Sequence, residues 1–351
     1  MQSFQSLTVQ DIIRENANAV SVIFELPDTL KNSFSFKAGQ YLTLKKTIDG
    51  KEVRRSYSLC STPSSGQLKV LIKKVPDGIF SSFANGQLSV GDSLEVHPPE
   101  GRFIFEPNAT KTTNYAAFAA GSGITPIISI IKTGLKEQPE SKFLLVYGNK
   151  SVADAIFIEE LIALQGEYSD RFMLELVLSR QEQENARFGR IDSSIINYFI
   201  GNKYASLSFD EFYVCGPGEM IDTTQEALVN KGVSSDVIHF ERFTAEPDSA
   251  TDSAAIKEGF VQIKFTIDDS EHTITAPIKE SVLDVAIKND LDPPHSCQGG
   301  ICSSCIARIT KGTVEMRKNQ ILTDSEVEEG LILTCQSHAT SPEIEVDYDD
   351  V

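Results

Sequence analysis

Cys297-Gln-Gly-Gly-Ile-Cys302-Ser-Ser-Cys305 is followed by Cys335 after 29 further residues. Four thiolates at C-x4-C-x2-C…C spacing suit a pair of ferric ions in a [2Fe–2S] cluster. Gly299 and Gly300 let the loop turn tightly, so that backbone N–H groups can face the sulfurs. A zinc ion is the alternative, but structural zinc sites pair two short Cys or His units, and here the fourth cysteine stands alone. His295 lies two residues before Cys297, but there is no C-x-H and C-x-x-H pair, so a Rieske centre is not expected.

Three further segments carry residues able to handle a flavin or a nucleotide. Arg54-Arg55-Ser56-Tyr57-Ser58-Leu59 follows an apolar run and a basic turn. An Arg there can neutralise a pyrophosphate, a Tyr can cover a flavin ring, and a Ser can bond its edge. Lys73-Lys74-Val75-Pro76-Asp77-Gly78-Ile79-Phe80-Ser81-Ser82 places a glycine and two serines at a helix start, a good anion site. Gly121-Ser122-Gly123-Ile124-Thr125-Pro126 follows a strand and opens a helix. It departs from G-x-G-x-x-G by ending in proline, which suits a first helical turn whose free N–H groups attract phosphate. Cys215-Gly216-Pro217 closes a later strand, where a buried structural thiol is the competing reading. Glu241 in His239-Phe240-Glu241-Arg242-Phe243 reads by itself as a surface charge on a terminal strand. Ser179-Arg180 ends a strand where an Arg could bind a 2′-phosphate, favouring NADPH, or could simply be solvated.

The elements that must hold these residues fall into blocks. Short apolar runs at Ala19–Leu26, Gln40–Leu44, Gln67–Val75 and Ser93–His97 predict an antiparallel barrel over residues 1–110. From 111 to 245, strands at Tyr115–Ala120, Lys142–Tyr147, Phe172–Leu178 and Glu211–Cys215 alternate with helices such as Asp154–Leu164, predicting a parallel sheet. Residues 246–258 are small and polar and read as a linker of about 40 Å when extended. In 259–351, Phe260–Ile267 and Glu271–Ala276 predict a hairpin around Asp268-Asp269-Ser270. A helix capped by Ser281 follows, then a short one near Asp324–Glu329 and a last strand Glu343–Asp347. The fold expected is therefore multidomain: β-barrel, α/β sheet, then an α+β unit.

The formal net charge of −18 argues against a nucleic-acid partner, which needs Lys and Arg clusters. Residues 259–351 hold 17 Asp or Glu and 7 Lys or Arg, hence −10 of that total, a surface able to steer a basic partner or simply to stay soluble. The start, Met1-Gln2-Ser3-Phe4-Gln5, lacks a basic then apolar leader, and no apolar stretch is long enough for a membrane span, so a cytoplasmic protein is expected.

Taken in order, these segments resemble the ferredoxin–NADP reductase superfamily, and with the C-terminal cysteines they resemble the reductase components of multicomponent oxygenases over nearly the whole chain. The resemblance implies that Arg55, Tyr57 and Ser58 contact FAD and that Gly78, Ser81 and Ser82 cradle its pyrophosphate. It implies that Gly121, Gly123, Thr125 and Pro126 bind NAD(P)H with Ser179, Arg180, Gly216 and Pro217, and that Cys215 lies near the nicotinamide. Tyr57, Ser58, Cys215 and Glu241 are then the catalytic set, and Cys297, Cys302, Cys305 and Cys335 the iron ligands of a β-grasp ferredoxin domain. The implied partner is the oxygenase component of a multicomponent monooxygenase. Tyr147-Gly148-Asn149-Lys150, Gly189-Arg190-Ile191-Asp192, Cys215-Gly216-Pro217 and the segment 239–243 look most like the reductases of phenylacetyl-CoA epoxidases, and the reductases of ketosteroid 9α-hydroxylases resemble the chain in architecture as well. A Rieske oxygenase, hydroxylase or desaturase as the outlet, and an electron-carrier or redox-sensing module, are the alternatives.

Overall fold

The computed structural model describes residues 4–243 and 259–351. Residues Phe4–Phe243 form one compact unit and the C-terminal residues another. The linker expected at 246–258 lies outside the described residues.

The first unit begins with strands β1 (Gln5–Asn16), β2 (Ala19–Phe24), β3 (Tyr41–Ile48), β4 (Lys51–Ser58), β5 (Leu68–Lys73) and β6 (Ser93–Val96). They form an antiparallel sheet in the order β4-β3-β6-β1-β2-β5, and a Leu59–Val70 bridge joins its two edges into a barrel. Leu42, Leu44, Val22, Val70 and Ile72 fill the interior. Helix α1 (Ile79–Gly86) adds Phe80 and Ala84 to that core. The segment 54–59, expected just after a turn, belongs mostly to β4 instead. Asp49 and Gly50, with φ of 49° and 77°, make the two-residue turn between the Ile48–Lys51 pair. Exposed Lys51, Glu52 and Arg55 mask the period of two in this strand.

The same unit continues with β7 (Asn114–Ala120), β8 (Lys142–Asn149), β9 (Phe172–Leu178), β10 (Ala186–Phe188), β11 (Glu211–Gly216) and β12 (Ile238–Arg242). All pairs are parallel, in the order β10-β9-β8-β7-β11-β12. Helices α2 (Ile124–Glu137), α3 (Ile158–Glu167), α4 (Ser193–Tyr198) and α5 (Gly218–Val229) connect them. Alternate residues of β7 serve two different cores: Tyr115, Ala117 and Ala119 join one, and Ala116 and Phe118 the other. The helix expected at 154–164 starts only at Ile158, because Phe157 stands in the left-handed region at φ 59°. Strand order reverses between β7 and β11, so a crevice for ligands opens at their carboxyl ends.

The C-terminal unit holds β13 (Phe260–Ile267), β14 (Ser270–Pro277), β15 (Ile306–Lys311), β16 (Val314–Met316), β17 (Leu331–Leu333), β18 (Ser337–Ala339) and β19 (Glu343–Asp347). The sheet runs β14-β13-β19-β15-β17, with only β13 and β19 parallel, and β16 pairs with β18 apart from it. Asp268 and Asp269, at φ 50° and 58°, form the hairpin turn. Helix α6 (Val282–Lys288) buries Val282, Val285 and Ala286 in the same core as Ile263 and Phe265. The Ser281 hydroxyl caps it by accepting from Asp284 N–H at 3.1 Å. Helix α7 (Asp324–Glu328) carries a capping box between Thr323 and Glu326. Among the described residues no helix is long and apolar enough to cross a membrane.

Candidate redox site

Packing between the barrel and the parallel sheet sets the geometry of the crevice. Phe103 meets Tyr213 and Phe105 meets Tyr115 edge-on, with ring centroids 5.6 and 5.3 Å apart. Ser129 of α2 donates to the Ser61 carbonyl at 2.6 Å. These contacts bring the end of β4 against the carboxyl ends of β11 and β12. There Ser58 Oγ donates to Glu241 Oε2 at 3.2 Å, and Glu241 is the register partner of Cys215. The serine, carboxylate and thiol, 183 residues apart at the extremes, thus share one site.

Burial of the Glu241 carboxyl pushes its pKa up to about 8, with the Ser58 bond opposing. Burial also raises the Cys215 thiol, and the Glu241 charge adds to it, so Cys215 stays a neutral thiol at pH 7. A carboxyl poised near neutrality can give or take a proton beside a reacting ring. Its folded pKa lies above the ordinary 4.5, so the proton favours the folded state. Stability from this group is then lost as pH rises from about 4.5 through about 8. E241Q cannot titrate. The melting temperature of E241Q minus that of the wild type is therefore expected to grow between about pH 5 and 8 and level off above. A difference independent of pH would contradict this assignment.

The two arginines of β4 part company. Arg54 is buried and paired to Glu52, with both Nε and Nη2 2.8 Å from Oε1. Arg55 is exposed, on the same side of the strand as Tyr57 by the period of two. Tyr57 leans on Phe80 of α1, centroids 5.7 Å apart, and burial raises its pKa, so its ring is a neutral apolar plate. Ser81 Oγ is used inside the loop: it accepts from Val75 N–H and donates to the Gly78 carbonyl. Ser82 N–H bonds the Gly78 carbonyl at 2.9 Å. A pyrophosphate here would meet the first-turn N–H groups of α1 and Arg55 more than the Ser81 hydroxyl. Gly78 has no room for a side chain, since a Cβ would lie 2.4 Å from Ser81 Oγ. An exposed arginine, an aromatic plate and a helix start in this order fit FAD.

On the nucleotide side, Gly121–Gly123 form one turn of 3₁₀ helix before α2. Gly121 needs its positive φ of 55°, and at Gly123 a Cβ would fall 2.1 Å from the Cys215 carbonyl oxygen. The glycine turn therefore rests on the strand that carries Cys215. Thr125, 3 % exposed, donates to the Ser122 carbonyl at 3.0 Å, and Pro126 is buried in the first turn. This close backbone approach beside Cys215-Gly216 fits a dinucleotide. Ser179 and Arg180 follow β9, and their N–H groups bond the Asn149 and Lys150 carbonyls at 3.0 and 2.9 Å. Arg180 is exposed at that edge.

Sequence reasoning missed two residues beside the turn. The Tyr147 ring is fully buried, and its hydroxyl lies 3.0 Å from the Gly121 carbonyl while accepting from Ile156 N–H at 3.1 Å. Lys73, at the end of β5, would stand 3.2 Å from a Gly121 Cβ, and burial with Lys150 nearby lowers its pKa. Both lie within segments that stand out for other residues, and nothing local in the sequence signals how far their side chains reach.

In the C-terminal unit the four cysteines stand as two pairs. Cys302 Sγ is 3.1 Å from Cys297 Sγ, and Cys305 Sγ is 3.3 Å from Cys335 Sγ. Among the described residues no three His, Cys, Asp or Glu side chains converge on one metal-sized point. One zinc ion needs its ligands around a single centre, whereas two irons take two thiolates each, so the pairs fit a [2Fe–2S] cluster. The Cys302 hydrogen bond lowers the Cys297 pKa to about 6 against burial, helped by N–H groups that include Gly299. Gly300 has φ 73°, and a Cβ there would sit 2.9 Å from the Lys318 carbonyl. Cys305 and Cys335 lie in an apolar cluster with Leu283, Leu331 and Leu333, while Cys297 is partly exposed. His295 bonds the Pro293 carbonyl through Nδ1 at 2.9 Å.

Three family models match in the same order: an oxidoreductase FAD-binding domain over residues 6–105, an oxidoreductase NAD-binding domain over 118–226, and a 2Fe-2S iron-sulfur cluster binding domain over 265–340. One component of the 1,2-phenylacetyl-CoA epoxidase of Escherichia coli K12 is 34 % identical over 99 % of both chains. The chain belongs to the ferredoxin–NADP reductase superfamily, in the branch with a C-terminal plant-type ferredoxin domain. The ferredoxin reductase component of the 3-ketosteroid-9-alpha-monooxygenase of Rhodococcus rhodochrous is 32 % identical over 97 % of this chain and 96 % of its own. Phthalate dioxygenase reductase shares the fold, with a TM-score of 0.60, 23 % identity and 98 % of each chain covered. The protein is thus a reductase that carries FAD and a [2Fe–2S] cluster and moves electrons from NAD(P)H toward an oxygenase.

Proposed function

We propose that this reductase serves the phenylacetyl-CoA epoxidase in the cytoplasm, as the NAD(P)H-oxidising component of phenylacetate degradation. The observation that carries this is 34 % identity to the Escherichia coli relative over essentially all of both chains. The reductase of a ketosteroid hydroxylase is the second reading, supported by 32 % identity at nearly equal coverage.

When bound, the nicotinamide supplies a hydride, FAD accepts the electron pair and releases it singly, and the cluster carries one electron at a time. The chain's own residues position these events. Arg55 and the α1 N-terminus would hold the flavin phosphates, and Tyr57 would cover its ring. Gly121, Gly123, Thr125 and Pro126 place the dinucleotide on the strand end bearing Cys215, Gly216 and Pro217. Ser58 fixes the Glu241 carboxyl, which holds or yields a proton at its Oε2. Ser179 and Arg180 would receive the adenosine ribose, and NADPH is favoured because Arg180 is exposed beside that strand end. Cys297, Cys302, Cys305 and Cys335 hold the irons.

Stopped-flow reduction with NADH and NADPH in turn, followed at flavin and cluster bands, tests the sequence of events. Flavin bleaching should precede cluster bleaching, with the faster rate for NADPH. Addition of the purified epoxidase oxygenase and phenylacetyl-CoA should then reoxidise the cluster. Reoxidation by a steroid hydroxylase alone would select the second reading.

A further inference from the structure

The two thiol pairs belong to different stretches of chain. Cys297 and Cys302 bracket one loop, while Cys335 lies in the turn between β17 and β18 and pairs with Cys305. A two-iron centre needs both pairs at one spacing. Residues 297–302 lie outside the strands, so something other than a ladder must set their distance from that turn.

Gln336 spans the gap. Its Nε2 donates to the Gln298 carbonyl at 3.0 Å and to the Cys335 carbonyl at 3.1 Å. A primary amide has two N–H donors, and both are used. One acceptor belongs to the residue after Cys297 and the other to Cys335 itself, so a single side chain joins the two pairs. The backbone of Gln336 is fixed on both sides: its N–H bonds the Leu333 carbonyl at 2.9 Å, and its carbonyl accepts from Arg317 N–H at 3.0 Å. Its Cγ occupies the space that Gly300 leaves free, since a Cβ there would fall 3.0 Å away. Gln298 stands in the left-handed region at φ 52°, a conformation unfavourable for a residue other than glycine, so contacts must hold it. The bond to Gln298 links residues 38 apart and lies at the surface. An exposed hydrogen bond exchanges with water and adds little to folding stability. Its use is its place across the two pairs.

We propose that Gln336 is a positioning residue for the cluster: its amide latches the Cys297–Cys302 loop to the turn bearing Cys335 and holds the two thiol pairs at the spacing that the irons require. This rests on the reading that the four cysteines hold the [2Fe–2S] cluster. Groups that orient ligands without touching the metal govern how tightly it is kept. Cys297 is partly exposed, so a loop released from Gln336 opens the cluster to solvent on that side.

The test is Gln336→Met in the full chain, loaded with FAD and cluster. Methionine keeps the length of the side chain and removes both donors. Bleaching of the cluster bands by excess EDTA should run about tenfold faster than in the wild type. The paramagnetic resonance spectrum of the reduced cluster should shift, because the ligands no longer sit at the same spacing. The melting temperature and the rate of flavin reduction by NADPH should stay at wild-type values. If Q336M takes up no cluster, Q336N replaces it: its amide is one carbon short of the Gln298 carbonyl, and its cluster must bleach faster. Wild-type bleaching and an unshifted spectrum in the variant that loads overturn this proposal alone. So does a lower melting temperature with an unshifted spectrum, or failure of both variants to load while FAD stays bound, since either makes Gln336 a folding residue. A wild type without iron and sulfide overturns the cysteine assignment and this proposal with it.

Discussion

Cys305→Ala yields a yellow protein in place of a brown one, and electron delivery to a one-electron protein acceptor falls by more than about 100-fold. Cys305 is 1 % exposed and stands 3.3 Å from Cys335, so its loss leaves an apolar hole where a thiolate is required. Water cannot replace the ligand well in a pocket lined by Leu283, Leu331 and Leu333. Cys305 lies in a different compact unit from Phe4–Phe243, so reduction of ferricyanide by NAD(P)H through the flavin should stay within about twofold of wild type. Iron and sulfide analysis, visible circular dichroism and the two assays check the outcome together. Full delivery to the protein acceptor by C305A would show that this cysteine is no ligand.

Gly123→Ala carries the other large effect. The new methyl would stand 2.1 Å from the Cys215 carbonyl oxygen, 2.5 Å from its carbon and 2.9 Å from Gly216 N. All three are backbone atoms of β11, locked between β7 and β12 by ladder bonds, so the glycine turn must lift instead. A lift of about 1 Å would shift a dinucleotide held by this turn, and misplacement on that scale costs about 100-fold in rate. Flavin reduction by NAD(P)H should therefore fall by about that factor, while bound FAD and the cluster bands persist. Gly86→Ala is the control, because a Cβ there meets nothing within 4 Å and the position has no left-handed φ. Stopped-flow traces of the two variants decide. Wild-type rates in G123A would mean that the turn does not set the position of the dinucleotide.

Much of this architecture is legible in the chain alone. The strand at Phe172–Leu178 and the C-terminal strands Phe260–Ile267 and Glu343–Asp347 coincide with expectation, because each is a compact run of strand-forming residues bounded by turn or polar residues. The Ser281 cap is equally local, one hydroxyl and an N–H three residues on. Strand β4 hides its period because edge strands carry charge where they face water. Helix α3 starts late because Phe157 adopts a left-handed conformation that no propensity favours for a bulky residue, held there by packing in the core and by Lys69 lying 4.9 Å from its ring.

The spacing C-x4-C-x2-C and the glycine turn are local facts, and chemistry that depends on neighbours in sequence can be read from the chain by itself. The spacing pointed to the [2Fe–2S] cluster, and the order of the segments carried the family resemblance that implied FAD and NAD(P)H. Tertiary structure decided the rest: that Ser58, Cys215 and Glu241 share one crevice, that Arg54 is buried against Glu52 while Arg55 is exposed, and that the thiols form two pairs. The reason is physical. The Ser58–Glu241 bond and the burial that raises the Glu241 and Cys215 pKa values come from atoms far away in the chain, and only packing of the barrel on the parallel sheet brings them within a few ångströms.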